Sequence, residues 1–232
     1  MDVLRFEAPA PGDPRPQHRG GAGHRPPSEP MVNAPWPVVA MCLAIIGLYA
    51  LQTQVPFLEP LLAFSPARLA MGETAGLITS QFLHGNWAHA LMNAAFVLAF
   101  GAPVARFFGG GVSGAAIFFA FYLLCGILAA LGFAALHWGM PAAMVGASGA
   151  ASGLMGAAAR LIGGHGRVGP LFSQAVTGMG LAWIVVNLIM AVTGGALIPG
   201  SGGAGVAWEA HLAGFAAGVL LIGPFGWIAG RR

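Results

Sequence analysis

Apolar residues along this chain come in long unbroken runs, not at the spacing of a helix with one wet face. After a polar, proline-rich beginning there are six such runs, at Pro37–Val55, Ala88–Phe107, Val112–Leu136, Ala143–Ile162, Gln174–Val192 and Trp208–Ile228. Each is close to the roughly 20 residues that carry a helix across a bilayer core. The pattern predicts an all-α membrane protein with six spans. The connection from Pro56 to Trp87 reads differently, holding Glu59, Arg68 and Glu73 among moderately apolar neighbours. It is too polar to span and too apolar to float free, so it is expected to lie along the interface or dip into it.

Composition sharpens this picture. Of 232 residues, 57% are hydrophobic and 7% charged, and the mean hydropathy is +0.76. An ordinary soluble domain carries about 25% charged residues, so this chain cannot dress a globular surface in water. Residues 1–34 are rich in proline, glycine, arginine and histidine, without an aliphatic pattern. Such a segment buries too little to offset its chain entropy. It is expected to be a disordered cytoplasmic tail, leaving residues 35–232 as one membrane domain. No apolar stretch precedes Val38, which argues against a signal peptide.

Charge then sets the expected orientation. All ten basic residues are arginines. With the N-terminus in the cytoplasm, Arg5, Arg15, Arg19, Arg25, Arg106, Arg160, Arg167, Arg231 and Arg232 fall inside, and only Arg68 falls outside. Even without the four in the tail the split is five to one. The positive-inside rule therefore puts both termini in the cytoplasm, an arrangement that suits a bacterial inner membrane. The arginines sit at segment ends and form no basic stripe, so nucleic acid is not an expected partner. Cys42 and Cys125 lie inside apolar runs as small buried hydrophobes. No cysteine or histidine cluster has zinc spacing, and no metal or organic cofactor is expected.

The fourth run opens on Gly146 to Ala157, built almost entirely from glycine, alanine and serine. Gly149, Gly153 and Gly156 recur at i, i+4 and i+7, a smooth face that lets another helix approach closely. Ala210, Gly214 and Gly218 form a second such face on the sixth run. Polar groups inside membrane spans are costly, and their default reading is functional. Four matter: His89 and Asn93 on the second span, Ser148 on the fourth and His211 on the sixth. Ser148 stands about five residues into its run. At about 1.5 Å rise per residue, all four lie within roughly 10 Å of the outer interface.

His89 and Asn93, at i and i+4, share a helix face. If the two small faces meet, Ser148 and His211 come together at their outer end. A hydroxyl against an imidazole makes serine nucleophilic, because histidine takes the proton as the oxygen attacks. No Asp or Glu is evident as a partner for His211, so a Ser–His dyad describes the pair. His89, Asn93 and the backbone N–H of Ser148 are candidate donors to the oxyanion that would develop. Taken singly, each residue has a plainer reading. Asn93 would be an interhelical hydrogen bond worth under ~2 kcal/mol, Ser148 a packing residue, and His211 part of an ion path. Jointly, at one depth, they favour a site.

Three blocks resemble the rhomboid intramembrane serine proteases, over essentially Pro37 to Ile228. Leu83-His84-Gly85-Asn86-Trp87-Ala88-His89-Ala90-Leu91-Met92-Asn93 is similar to the family's His-x-x-x-Asn block on the second span. Gly146-Ala147-Ser148-Gly149 matches its Gly-x-Ser-Gly nucleophile motif, and Ala210-His211-Leu212-Ala213-Gly214 through Gly218 its Ala-His-x-x-Gly-x-x-x-Gly block. The resemblance implies a six-transmembrane-helix bundle with Ser148 and His211 as the dyad, opening through a wet cavity to the outside. It implies an oxyanion site from His89, Asn93 and the Ser148 backbone. His84 is read as organising the first loop, with Gly146, Gly149, Gly214 and Gly218 structural. The implied substrates are transmembrane helices of other proteins, cut near the outer interface.

Two departures from the family's pattern stand out. Arg68 follows Ala67 where many members have tryptophan, and Val104-Ala105-Arg106 stands where many place a glutamate. Glu209 reads as an interfacial or loop-packing carboxylate. The alternative function is a non-catalytic relative that binds or chaperones membrane helices, but such relatives typically lack the serine or histidine. A transporter would call for midplane acids or inverted repeats, and neither is evident. A zinc protease is disfavoured, because there is no His-Glu-x-x-His and His84 and His89 do not share a helix face.

Overall fold

The computed structural model describes residues 34–194 and 205–231. The expected N-terminal tail lies outside the described residues, apart from Ala34. The first helix, α1 (Trp36–Gln52), opens with Pro37 in its first turn, where the missing N–H has no intrahelical partner to lose. Three short helices follow in the connection, α2 (Leu58–Leu62), α3 (Pro66–Ala70) and α4 (Gly76–Thr79), with a 3₁₀ turn at Ser80–Phe82. The longer helices are α5 (Trp87–Phe108), α6 (Val112–Leu136), α7 (Ser148–Gly163), α8 (Gln174–Thr193) and α9 (Trp208–Ile228). Among the described residues there is no strand, only one bridge between Phe64 and Met144.

Four of these helices, α5, α6, α8 and α9, are long and apolar enough to cross a membrane. α1 has 17 residues and α7 has 16, so six full-length spans are not what the structure presents. α7 is the central element, with every residue from Gly149 to Ala159 buried. A helix enclosed by protein need not be as long or as apolar as one that faces lipid. α8 is its opposite. Only Val176, Asn187 and Met190 of its 20 residues are buried, and Leu181, Ile184, Val185, Leu188, Ile189 and Val192 are exposed.

The apolar pattern placed the start of the fourth helix at Ala143, five residues too early. Residues 143–147 are not helical, because their backbone groups are engaged elsewhere. Phe64 and Met144 exchange N–H···O bonds of 3.1 and 2.9 Å, and the Gly146 N–H donates to the Ser80 carbonyl at 2.9 Å. Nearby, the Ala67 N–H donates to the Met140 carbonyl at 3.1 Å. The connection after α1 thus packs against the segment leading into α7. Ser148 is consequently the first residue of its helix rather than the sixth.

Small residues let α7 and α9 meet backbone to backbone. A Cβ on Gly214 would strike the Gly149 carbonyl, and one on Gly218 the Gly153 carbonyl. Near the other end of α7, Arg160 closes the contact. Its guanidinium donates to the Gly169 carbonyl at 2.9 and 2.6 Å and to the Val219 carbonyl at 2.9 Å. Hydrogen bonds to a charged donor are worth about 1.5–3 kcal/mol each. Arg160→Met is expected to destabilise the bundle by roughly 2 kcal/mol or more on that scale, read as a lowered unfolding temperature in detergent. An unchanged unfolding temperature would remove the role assigned to this clamp.

Candidate active site

Each side chain of the site is positioned by an identifiable local cause. Asn86 caps α5, its Oδ1 accepting the His89 N–H at 2.9 Å, which fixes the first turn of the helix. His89 and Asn93 then face the same way, one turn apart. Both reach Gly146: a Cβ there would lie 2.8 Å from His89 Nε2 and 3.5 Å from Asn93 Nδ2. Gly146 also has φ of +125°, a conformation that disfavours any other residue. The backbone therefore needs glycine at this position twice over, for its own dihedral and for the two side chains beside it.

Ser148 is half-buried, and its Oγ lies 2.8 Å from His211 Nε2. As the first residue of α7 its N–H has no intrahelical acceptor, and it sits at the positive end of the helix dipole. His211 is buried. Its Nδ1 is 2.8 Å from Asn187 Oδ1 on α8, and the Trp183 ring lies over it at a centroid distance of 5.7 Å and an interplanar angle of 37°. Three helices, α7, α8 and α9, therefore contribute to the surroundings of one imidazole.

His89 is polarised toward the same space. Its Nδ1 accepts a long 3.5 Å bond from the Gly85 N–H. In the neutral ring the proton is then on Nε2, the nitrogen that borders Gly146. Asn93 Nδ2 is buried without a hydrogen-bond partner among the described residues. Two N–H donors thus converge beside the residue two positions before Ser148.

His84 lies behind this group. Its backbone is gripped by Gln52, which accepts from the His84 N–H at 3.0 Å and donates to its carbonyl at 2.9 Å. Its ring is fully buried, 5.1 Å from that of His89 and 6.2 Å from that of Tyr49. Burial, with His89 adjoining, pushes its pKa down to about 3, so the ring stays neutral. His84 supports the start of α5 and does not reach Ser148 by any hydrogen bond. Glu209 is turned away from His211 and bonds His137 Nε2 at 2.9 Å. Arg68, which lacks a preceding tryptophan, is held instead by Glu73 at 2.6 Å and the Leu61 carbonyl at 2.8 Å.

Asn187 is the site residue that reading the sequence overlooked. The signal was present. Asn187 is a strongly polar side chain inside the fifth apolar run, six residues before Thr193, or about 9 Å from that end of α8. It shares the depth of His89, Asn93, Ser148 and His211 along their own helices.

The comparisons point the same way as the motifs. The family model described as the Rhomboid domain matches residues 71–228. A search of curated proteins found no match.

Proposed function

Because the chain belongs to the rhomboid family, whose members are generally intramembrane serine proteases, we propose that this integral membrane protein is a serine endopeptidase that cuts transmembrane segments of other proteins. The observation that carries the reading is the 2.8 Å contact between Ser148 Oγ and His211 Nε2, made beside the donors of His89 and Asn93. Ser148 donates its proton to His211 Nε2 as Oγ attacks the scissile carbonyl. The carbonyl oxygen becomes an oxyanion, which accepts from the Ser148 N–H, His89 Nε2–H and Asn93 Nδ2–H. Protonated His211 then gives its proton to the leaving amine, and water releases the acyl group by the same route in reverse.

In this reading α1 and α7 complete a six-helix bundle, with both termini cytoplasmic and Ser148 near the outer face. Substrates are helices with weak helical propensity at the cleavage point, since an intact membrane helix hides its carbonyls in its own hydrogen bonds. No metal or organic cofactor takes part in the scheme. A non-catalytic helix binder is the competing function.

The deciding experiment is labelling of the detergent-solubilised protein with a fluorophosphonate serine probe, wild type against Ser148→Ala. Labelling that vanishes in the variant supports an activated Ser148. An unlabelled but folded wild type would favour the helix binder. Gly146→Ala gives a second test, because its methyl intrudes on His89 Nε2 and strains the backbone. Loss of one oxyanion donor costs about 10²–10³-fold in kcat, and a fall of about that size is expected. Turnover equal to wild type would refute the oxyanion assignment.

A further inference from the structure

α8 is largely exposed toward lipid, yet it directs Asn187 at the nitrogen of His211 remote from Ser148. We infer that Asn187 is a positioning residue, which accepts the His211 Nδ1–H and so holds the imidazole with its basic Nε2 toward Ser148. This rests on the proteolytic reading above and adds to it a third member on a helix that carries none of the family's motif blocks. Asn187 is fully buried, and its two amide ends are distinguishable by their partners. Nδ2 donates to the Trp183 carbonyl at 2.8 Å, one turn earlier in α8. That leaves Oδ1, which has no proton, to face His211 Nδ1 at 2.8 Å. An acceptor at this place requires the proton of a neutral imidazole to be on Nδ1. Nε2 is then the lone-pair nitrogen, the form able to take the serine proton.

Trp183 contributes through both its backbone and its ring. Its carbonyl orients the Asn187 amide, and its indole covers the face of His211. Phe96 of α5 also lies beside that indole, with ring centroids 5.7 Å apart. The ring plane and the tautomer of His211 are thus fixed from α8, while its backbone belongs to α9. When Ser148 Oγ attacks, the proton moves to Nε2, and the Nδ1–H remains bonded to Asn187. The amide is neutral, so it orients the imidazolium without the charge a carboxylate would supply.

That difference supplies the test. The charged or titratable groups around His211 are few. His89 on α5 is within electrostatic range, and Glu209, two residues earlier on α9, is occupied by His137. Asn187→Asp keeps the shape and adds a negative charge at hydrogen-bond distance. An adjoining carboxylate favours the protonated imidazole, so the base form is lost at higher pH than in the wild type. The acidic limb of the kcat/KM–pH profile for a transmembrane substrate is expected to move up by about one pH unit or more. Asn187→Ala, which removes the acceptor, is expected to lower kcat by roughly tenfold or more with little change in KM.

A profile for Asn187→Asp that superimposes on the wild type, or full kcat in Asn187→Ala, would overturn the positioning role while leaving the protease reading intact. A folded wild type that neither cleaves nor takes the fluorophosphonate probe would remove both together. Should Asn187→Ala fail to fold, the isosteric Asn187→Asp profile decides the matter alone.

Discussion

Ser148→Ala and His211→Ala are each expected to abolish cleavage of a transmembrane substrate, a fall of at least about 10⁴-fold in kcat, with the bundle still folded. In the alanine variant of Ser148 no oxygen remains to form the acyl intermediate. The alanine variant of His211 leaves Ser148 with no base at 2.8 Å, and an unassisted hydroxyl is a poor nucleophile at neutral pH. The double variant is expected to be no worse than either single one, because the two groups act in one step. Circular dichroism and unfolding in detergent would show that structure survives. Retained turnover in both purified single variants would remove the assignment of Ser148 and His211 to the chemistry.

Gly218→Val is expected to be the most damaging substitution outside the site. Gly218 faces the Gly153 carbonyl so closely that even one methyl collides with backbone, and Gly214 meets Gly149 in the same way one turn nearer to His211. A backbone carbonyl cannot swing aside as a side chain can. The added volume must therefore push α7 and α9 apart. Overpacking in a tight core costs about 1–3 kcal/mol, and a rigid backbone neighbour places this case at the top of that range or above it. Separation of the helices also lengthens the Ser148–His211 contact, so activity falls along with the unfolding temperature. A variant with wild-type stability and turnover would show that the α7–α9 contact tolerates far more separation than its packing implies.

The alanine substitutions and Gly218→Val probe different levels of the same architecture. In the proposed reaction the side chains carry the chemistry, but their approach is set by backbones that contain almost no side chain. The stretch from Gly146 to Ala157 serves both ends. Gly146 leaves space for His89 and Asn93, Ser148 begins the helix, Gly149 and Gly153 make room for Ala129 and Cys125 of α6, and Gly156 for the α9 backbone at Phe215. Arg160 then ties α7 to α9 near the opposite end.

Much of this was legible in the residues. The runs at Val112–Leu136 and Trp208–Ile228 coincide with α6 and α9 to the residue, since long apolar stretches bounded by glycine or polar loops leave helix ends little latitude. Family membership was legible in three short blocks and is borne out by the match over residues 71–228. The spacing of Gly149, Gly153, Gly214 and Gly218 announced two smooth faces, because helical periodicity alone puts such residues in line.

Other features depended on groups distant in sequence. Hydropathy counts Ala143 to Ala147 as helix, yet pairing of Met144 with Phe64 and of Gly146 with Ser80 keeps them out of it and delays α7 to Ser148. The short length of α7 is tolerated only because the other helices enclose it. Glu209 lies two residues from His211 in sequence, but a helix points such neighbours to different sides, and it bonds His137 instead. Asn187 could be noticed as a polar residue in an apolar run. Its partner could not, because which side chain meets His211 Nδ1 depends on the rotation of α8 against α9. Sequence by itself determined the apolar segments, the small faces and the residue types available for chemistry. Tertiary structure alone decided which polar atoms meet, since helix rotation and backbone register are settled by contacts that no local pattern contains.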